Sequence, residues 1–422
     1  MKAGAEWRRV RRAAFALAAA ALAAAAIRSV RLAAAEEFFL TGRPGGIRQA
    51  VRLEPARSLY RLAAADLAGL AGRDPRQELR AAVERNPYDA ALRIRLGLEA
   101  EARGDFREAE AQLLEAARRN RKYLPRWTLA GYYFRRNDNE RFWEWARAAL
   151  AIAPESPDPL FDLCWRADPA RAAEIAQGVA ERPGVALAFA EFLARRGEWA
   201  RAAALAPRLA ERAEKRQEQR LLGLVSGFAS HGRIPAAVAI WNGLCRRGWL
   251  PWAEKGPGST QWLTNPDFTR LPSGRGFDWR WNEASGVSWR PAPGGGLRAE
   301  LSGRQPERTW LVRQSVPALR PGPVRLACSY EIRGPETTAG GVSTGLRWRI
   351  WAAGSPARLL GESPPLISGS SGRTAVSVRV PADTNLLRVE LIHERQPGTQ
   401  RFRGRVLLRR VTLELQEAFE KP

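Results

Sequence analysis

Histidine and cysteine are nearly missing from this sequence, and their scarcity removes much of the chemistry a chain of this size could perform. Two histidines, His231 and His393, and three cysteines, Cys164, Cys245 and Cys328, are spread over 422 residues. None stands at a metal-ligand spacing such as His-Glu-x-x-His or Cys-x-x-Cys, so no cofactor or metal is expected. One disulfide stays open and none is implied. A glycine loop followed by Lys-Ser or Lys-Thr is absent too, which excludes a phosphate cradle of the nucleotide-binding kind. The Gly-x-Ser-x-Gly match at residues 341–345 leads from a turn into a strand, whereas a nucleophile elbow needs a strand before it and a helix after it. Carboxylate pairs meet only in space, but Glu300, Glu331 and Glu390 stand in strand patterns where a solvated face accounts for them. The expectation is a protein that is not an enzyme.

Negative charge is in short supply as well. Asp and Glu total 44 against 68 Lys and Arg, a formal charge of +24. Such a surface favours anionic partners: nucleic acid, phospholipid head groups or an acidic polysaccharide. With 45% hydrophobic and 27% charged residues the chain is globular and long enough for two or three domains.

Arg8, Arg9, Arg11 and Arg12 precede an uncharged run at residues 13–27, and Arg28 and Arg31 follow it. A bilayer span takes about 20 apolar residues, and Val10 with snorkelling arginines extends this run toward that length. The pattern also fits a cleavable signal with Ala33-Ala34-Ala35 as its small-residue site. Retention as an anchor is the preferred reading, because the two arginines interrupt the approach to that site and the helical pattern continues past it. The excess of arginine before the run then puts residues 1–12 in the cytoplasm and the bulk of the chain on the periplasmic side of an inner membrane. Secretion after cleavage is the alternative.

Residues 85–154 contain one pattern twice. Gly97 and Gly131, Gly104 and Asn137, Ala116 and Ala149 all recur at close to the roughly 34-residue period of a two-helix unit. Small residues at Gly97, Ala109, Ala116 and Ala130 allow antiparallel helices to approach, and Leu96, Leu113, Trp127 and Phe134 fill the space around them. Gly104 and Asn137 end first helices in a left-handed turn, after which Asp105 and Asp138 cap the second helices. Weaker copies extend the pattern over residues 36–248, with breaks at Gly42, Gly72, Asp168, Gly197 and Gly232.

The spelling Leu96-Gly97, Gly104, Phe106, Ala109, Ala116 and Pro154 resembles the tetratricopeptide repeat family, with Arg93 in place of the family's first aromatic and Trp127 one residue out of register. The resemblance implies an α-solenoid with a groove for a protein partner. Tyr123, Arg126, Trp127, Tyr132 and Tyr133 are the candidates for that groove, with core packing as the other reading of the aromatics.

After Gly248 the helical period disappears. Residues 249–264, with Gly256-Pro257-Gly258, read as a linker packed loosely on the last repeat. Period-2 alternation follows, and strands are expected at 276–282, 297–302, 308–316, 323–333, 344–352, 374–380, 386–393 and 403–415. Val324, Leu326, Cys328, Tyr330 and Ile332 share a core face, as do Leu387, Val389 and Leu391, whereas Arg347, Arg349 and Trp351 alternate outward from Leu346, Trp348 and Ile350. Asn265-Pro266-Asp267-Phe268, Trp279, Trp281 and the late strand ending in Val411-Thr412-Leu413 are similar to the galactose-binding-like sandwich of carbohydrate-binding modules. That resemblance implies a jelly-roll over 265–416, before a tail at 417–422, with glycan contacts from aromatic rings. Trp279, Trp281, Trp289, Trp310, Trp348 and Trp351 are the candidates, with core or hinge packing as the other reading, and Arg347 and Arg349 are the candidates for acidic groups.

The expected architecture is therefore a basic segment and membrane helix at 1–35, an α-solenoid and a C-terminal β-sandwich. The expected function is a non-catalytic, envelope-anchored adaptor. Its solenoid docks a protein and its sandwich meets an acidic or neutral glycan or the same assembly, in the setting of polysaccharide synthesis or export. A secreted lectin or glycan-active enzyme with the repeats as spacer is the alternative. Export by the anchor disfavours nucleic acid.

Overall fold

A computed structural model describes residues 2–172, 182–334, 344–354, 356–368, 371–395, 397–398 and 400–416. Residues 341–343 of the Gly-x-Ser-x-Gly match and the tail at 417–422 lie outside the described residues. The chain forms two compact units, Met1–Pro154 with Asp162–Pro169, and Glu155–Phe161 with Ala170–Pro422.

The first unit is a succession of helices: α1 (Lys2–Leu40), α2 (Pro44–Leu53), α3 (Ser58–Leu70), α4 (Arg76–Arg85), α5 (Ala90–Ala102), α6 (Phe106–Arg119), α7 (Tyr123–Arg135) and α8 (Asn139–Leu150). Each packs chiefly on its neighbours in sequence, as stacked hairpins require. The expected punctuation is present. Gly104 and Asn137 adopt φ of 77° and 56°. The Asp105 carboxylate accepts from the Glu108 amide at 3.1 Å and that of Asp138 from the Arg141 amide at 3.1 Å, while Asp89 caps α5 in the same way. Gly97 lies at the α5–α6 crossing, where a Cβ would stand 2.8 Å from Leu113 Cγ and 3.1 Å from the Ala109 carbonyl oxygen.

α1 carries an apolar stretch at Ala14–Leu40, near the N-terminus, of the length and composition that cross a membrane. Its far end belongs to the first hairpin. Ala35 is buried with Ala50 and Tyr60, and the Tyr60 hydroxyl donates to Glu36 at 2.7 Å.

The unit boundary falls within α9 (Asp158–Ala167). The second unit continues with α10 (Pro183–Arg195), α11 (Trp199–Ala204), α12 (Ala206–Arg212), α13 (Glu218–Ser230) and α14 (Ile234–Arg246). α11 and α12 are one broken helix, interrupted at Leu205 where Pro207 enters the next first turn. The expectation of a loose linker at 249–264 is corrected. Asn242 of α14 holds the Lys255 backbone with two hydrogen bonds, at 2.7 and 2.8 Å, and the buried Lys255 ammonium donates to the Trp262 carbonyl at 2.7 Å. Burial lowers the Lys255 pKa to about 8. Trp262 itself is fully buried in the sandwich core and its amide donates to Leu413. A buried tryptophan in a Gly-Pro-rich stretch ties the segment down, and periodicity does not reveal that.

Among the described residues the sandwich has two antiparallel five-stranded sheets. One runs β1 (Arg280–Trp281), β4 (Arg308–Pro317), β9 (Leu386–Glu394), β6 (Leu346–Ala352), β7 (Arg358–Glu362). The other runs β2 (Val287–Pro291), β3 (Leu297–Ser302), β10 (Arg403–Leu415), β5 (Gly322–Arg333), β8 (Ser371–Val380). β2 and β7 escape the period-2 reading because both are edge strands, one closing on Pro291 and the other carrying Gly361. The expected core faces are in place: Val324, Leu326, Cys328, Ile332, Leu387, Val389 and Leu391 share one cluster. The expected 276–282 strand shrinks to Arg280–Trp281, because Gly276 takes φ of 57° and the buried Asp278 side chain accepts from the Ser273 and Trp279 amides.

Gly97→Ala is expected to lower stability by about 1–3 kcal/mol through overpacking against Leu113 and Ala109. Gly69→Ala, on an exposed helix position with nothing within 4 Å of its Cβ, is expected to raise stability by about 0.5–1 kcal/mol. Thermal unfolding of the two variants checks both signs.

Candidate functional site

The outward face of the β1-β4-β9-β6-β7 sheet gathers the charged and aromatic groups that strand parity left over after core packing. From β7 inward, Glu362 is paired with Arg349 of β6, Arg349 with Glu390 of β9, Glu390 with Arg313 of β4, and Arg313 with Arg280 of β1. This register places one row of ionisable side chains across all five strands.

On the β6–β7 side the arginines are satisfied by carboxylates. Arg347 and Arg349 both reach Glu362, at 2.7 and 3.0 Å, and Arg349 also reaches Glu394 at 2.7 Å. Burial would raise the Glu362 pKa, but hydrogen bonds from the two arginines outweigh it and hold the carboxyl below its ordinary value. Trp351 Nε1 donates to Glu390 at 2.6 Å, and Arg388 lies 5.2 Å from the Trp351 ring centre. Glu390 is 7% exposed, so its expected place on a solvated face is corrected: it is a buried acceptor that fixes the indole. Glu300 and Glu331 do stand in surface pairs, with Arg405 and Arg409.

On the β1–β4 side the balance reverses. Arg280 and Arg313 face each other across two strands, and Arg388 stands opposite Ser315 on the next. The Arg280 guanidinium donates to the Ser226 hydroxyl of α13 at 2.8 Å, and Arg313 lies over the Trp310 ring at 4.1 Å. Burial, and then Arg313, lower the pKa of Arg280; burial, and then Arg388, lower that of Arg313, with Glu390 opposing. The three arginines border a cavity of about 520 Å³ whose other wall is the end of α13 with His231, and among the described residues no carboxylate lines it.

The structure sorts the sequence candidates by burial. Arg347, Arg349 and Trp351 share the outward face. Trp279 does not: it is fully buried against Phe268 and Trp348 and donates to the Asn265 carbonyl, so it is a core residue, as is Trp348. Trp281 is also corrected. It pairs with Val312 on the core side of β1 and stacks with Trp289 at 6.5 Å. Trp310 is half-buried under Arg313. Among the solenoid candidates, Tyr132 and Tyr133 are buried and bind across to α6, their hydroxyls donating to the Phe106 carbonyl and to Glu110. They join helices and do not line a groove. Arg126 donates to the Ala148 carbonyl near the end of α8. Tyr123 and Trp127 remain half-exposed and stacked, ring centres 6.4 Å apart.

Arg280, Arg313 and Glu362 are the site residues that sequence reading missed. A bulge after Trp310 breaks the β4 parity, β7 is an edge strand without apolar alternation, and Arg280 lies in a segment whose register depends on α13. Both histidines have structural places. His231 stacks on Trp199 at 4.0 Å, and His393 is fully buried. Among the described residues no group of His, Cys, Asp and Glu is arranged to hold a metal ion.

No family model matches the chain, and no curated protein does. Solved structures give weak likenesses. Yeast Tom70 is 16% identical over 51% of this chain and 50% of its own, with a TM-score of 0.31, so the match spans only half the length of that protein. A CBM4 structure is 11% identical over 36% of this chain and 99% of its own, TM-score 0.29. The CBM22-1 xylan-binding domain of Paenibacillus barcinonensis Xyn10C is 11% identical over 39% and 99%, TM-score 0.26. At these identities and TM-scores none of them bears on function.

Arg349→Met breaks ion pairs to two carboxylates that are each about a third exposed, Glu362 keeping Arg347 and Glu394 keeping Arg308, and is expected to cost about 1–2 kcal/mol, below the full cost of breaking a buried pair. Arg347→Met, with one shared partner, is expected to cost less than about 1 kcal/mol. Urea midpoints compare them, and equal losses would contradict the bridging role given to Arg349.

Burial lowers the His393 pKa; hydrogen bonding to Pro306 opposes this and Arg401 adds to it. The unfolded chain therefore takes up the proton first. Stability is complete above the unfolded value of about 6.5 and is lost as pH falls through it toward the folded pKa. The thermal midpoint is expected to drop between about pH 7.5 and pH 5.5, and His393→Gln to flatten that drop.

Proposed function

We propose that this chain is a non-catalytic adaptor held at a membrane by α1, with the stacked hairpins receiving a protein partner and the outward face of the β1-β4-β9-β6-β7 sheet receiving glycan. The observation that carries the reading is the face itself. Trp351 is half-exposed with its indole nitrogen anchored on Glu390, beside Arg347 and Arg349 oriented by Glu362. A fixed ring beside fixed hydrogen-bonding groups suits a ligand whose apolar C–H face alternates with hydroxyls, as a sugar's does. Half-exposed Tyr123 and Trp127 support a protein contact on α7. The packing of Ala35 inside the first hairpin favours retention of α1, since cleavage after Ala35 would remove the residue on which Tyr60 and Ala50 close. The bulk of the chain then lies on the periplasmic side, and polysaccharide synthesis or export is the setting this arrangement suits.

The test uses the full chain in detergent, run through gels containing acidic or neutral polysaccharide. Retardation by at least one polysaccharide is expected, and Trp351→Ala, checked for folding, is expected to weaken it about tenfold, a loss of roughly 1.4 kcal/mol. Unchanged retardation of that variant, or none of the wild-type protein, would sink the glycan reading. A reporter fused after Pro55 that is active only in the cytoplasm would sink the periplasmic one.

A further inference from the structure

The strongest unexplained feature of the second unit is the clustering of positive charge around the cavity bordered by Arg280, Arg313 and Arg388. Elsewhere on the same sheet face the arginines are neutralised: Arg347 and Arg349 share Glu362 and Glu394. Around the cavity, among the described residues, three arginines have one carboxylate between them: Glu390 stands opposite Arg313 in the register and pairs with Arg388. Arg280 has a serine hydroxyl as its partner and Arg313 a tryptophan ring. Arg388 lies 3.4 Å from one Glu390 oxygen, whose partner oxygen accepts the Trp351 indole, and 5.2 Å from that ring, so this single carboxylate leaves the group with a positive excess. Like charges directly opposite on neighbouring strands are destabilising, and burial makes them more so. Such an arrangement is tolerable where a counter-charge arrives from outside.

The cavity's size and lining narrow what that counter-charge belongs to. About 520 Å³ lies within the range of small-molecule sites and is far more than one inorganic anion needs. Ser230, Ser315 and Asn385 line it beside the arginines, supplying neutral donors and acceptors for hydroxyl groups, while the Ser226 hydroxyl is taken up by Gly276, Arg280 and Leu222. Guanidinium forks match the paired oxygens of a carboxylate, sulfate or phosphate. We propose that this cavity binds one sugar unit carrying such an oxyanion, with Arg313 and Arg388 on the anionic group and Ser230, Ser315 and Asn385 on the sugar hydroxyls. Arg280 is held by Ser226 and acts as the rigid third charge. The proposal rests on the glycan reading above and deepens it: the acidic unit of the glycan enters here, beside the Trp351 strip.

Isothermal titration of the full chain in detergent separates the outcomes. The probes are a glucuronate-containing disaccharide, a glucose-containing disaccharide, glucose 6-phosphate and inorganic phosphate. At least one of the two anionic sugars is expected to bind at least tenfold more tightly than the neutral disaccharide, and which one does so identifies the oxyanion. Arg313→Gln is expected to weaken it tenfold or more, and also to raise the unliganded thermal midpoint because one like charge is gone. Ser315→Asp, which places a counter-charge inside the cavity, is expected to abolish anionic binding with the fold intact; it keeps the test valid if Arg313→Gln fails to fold. Equal affinity for acidic and neutral disaccharides, binding of inorganic phosphate as tight as that of the anionic sugars, no binding by any probe, or unchanged affinity in Ser315→Asp would overturn the proposal. Loss of polysaccharide retardation in Trp351→Ala tests the wider glycan reading separately, since Trp351 does not line the cavity.

Discussion

The second unit depends on one close approach. The Trp241 ring of α14 lies against the backbone at Gly276, where a Cβ would stand 2.7 Å from ring carbon Cζ3, and Phe277 meets the same indole edge-on at 5.5 Å. Glycine fits here because it has no Cβ to meet the ring, and its φ of 57° also costs it little. The consequence propagates along the backbone. With Gly276 fixed, its amide donates to the Ser226 hydroxyl, the same hydroxyl receives Arg280, and the two-residue strand β1 is set against β4. A side chain at position 276 would move Arg280 and with it one wall of the arginine cavity.

This packing explains why the compact units do not divide where composition does. Composition changes at Gly248, where helical periodicity ends, yet α13 and α14 belong with the sandwich. Asn242, Lys255 and Trp262 form a continuous chain of hydrogen bonds and apolar contact from α14 into the sandwich core. Lys255 is the cost of that joint: its ammonium is buried with a backbone carbonyl as its acceptor, which is why its proton is held less tightly than usual.

Charge is likewise distributed unevenly. In the first unit much of the arginine excess is consumed in surface pairs such as Arg80 with Glu108, Arg95 with Asp66 and Arg135 with Glu101. Exposed pairs of this kind contribute little to stability, but they interleave the two signs on the surface of the hairpins. The outward sheet face differs because its side chains are partly buried, so an unmatched guanidinium there interacts at lower effective dielectric. A net charge of +24 says that anions are favoured; only the pairing pattern says where.

Helix hairpins, their left-handed stops and aspartate caps, and the inward parity of β5, β6 and β9 were legible in the sequence. These features are set by local rules: φ above zero at Gly104 and Asn137, a carboxylate one position before each second helix, and alternation of apolar residues along a strand. The site was legible only in part, through Arg347, Arg349 and Trp351, which share a strand and so a face. Trp279 and Trp281 were misplaced because a tryptophan reads the same whether its ring fills a core or a surface. Arg280, Arg313 and Arg388 lie far apart in sequence and meet only because β1, β4 and β9 are neighbours in the sheet, a pairing that long-range burial decides. By itself the sequence determined where helices stop and which side of each strand turns inward, since those depend on adjacent residues. Which arginines find a carboxylate and which share a cavity was decided by the tertiary structure, because charge neutralisation depends on neighbours in space.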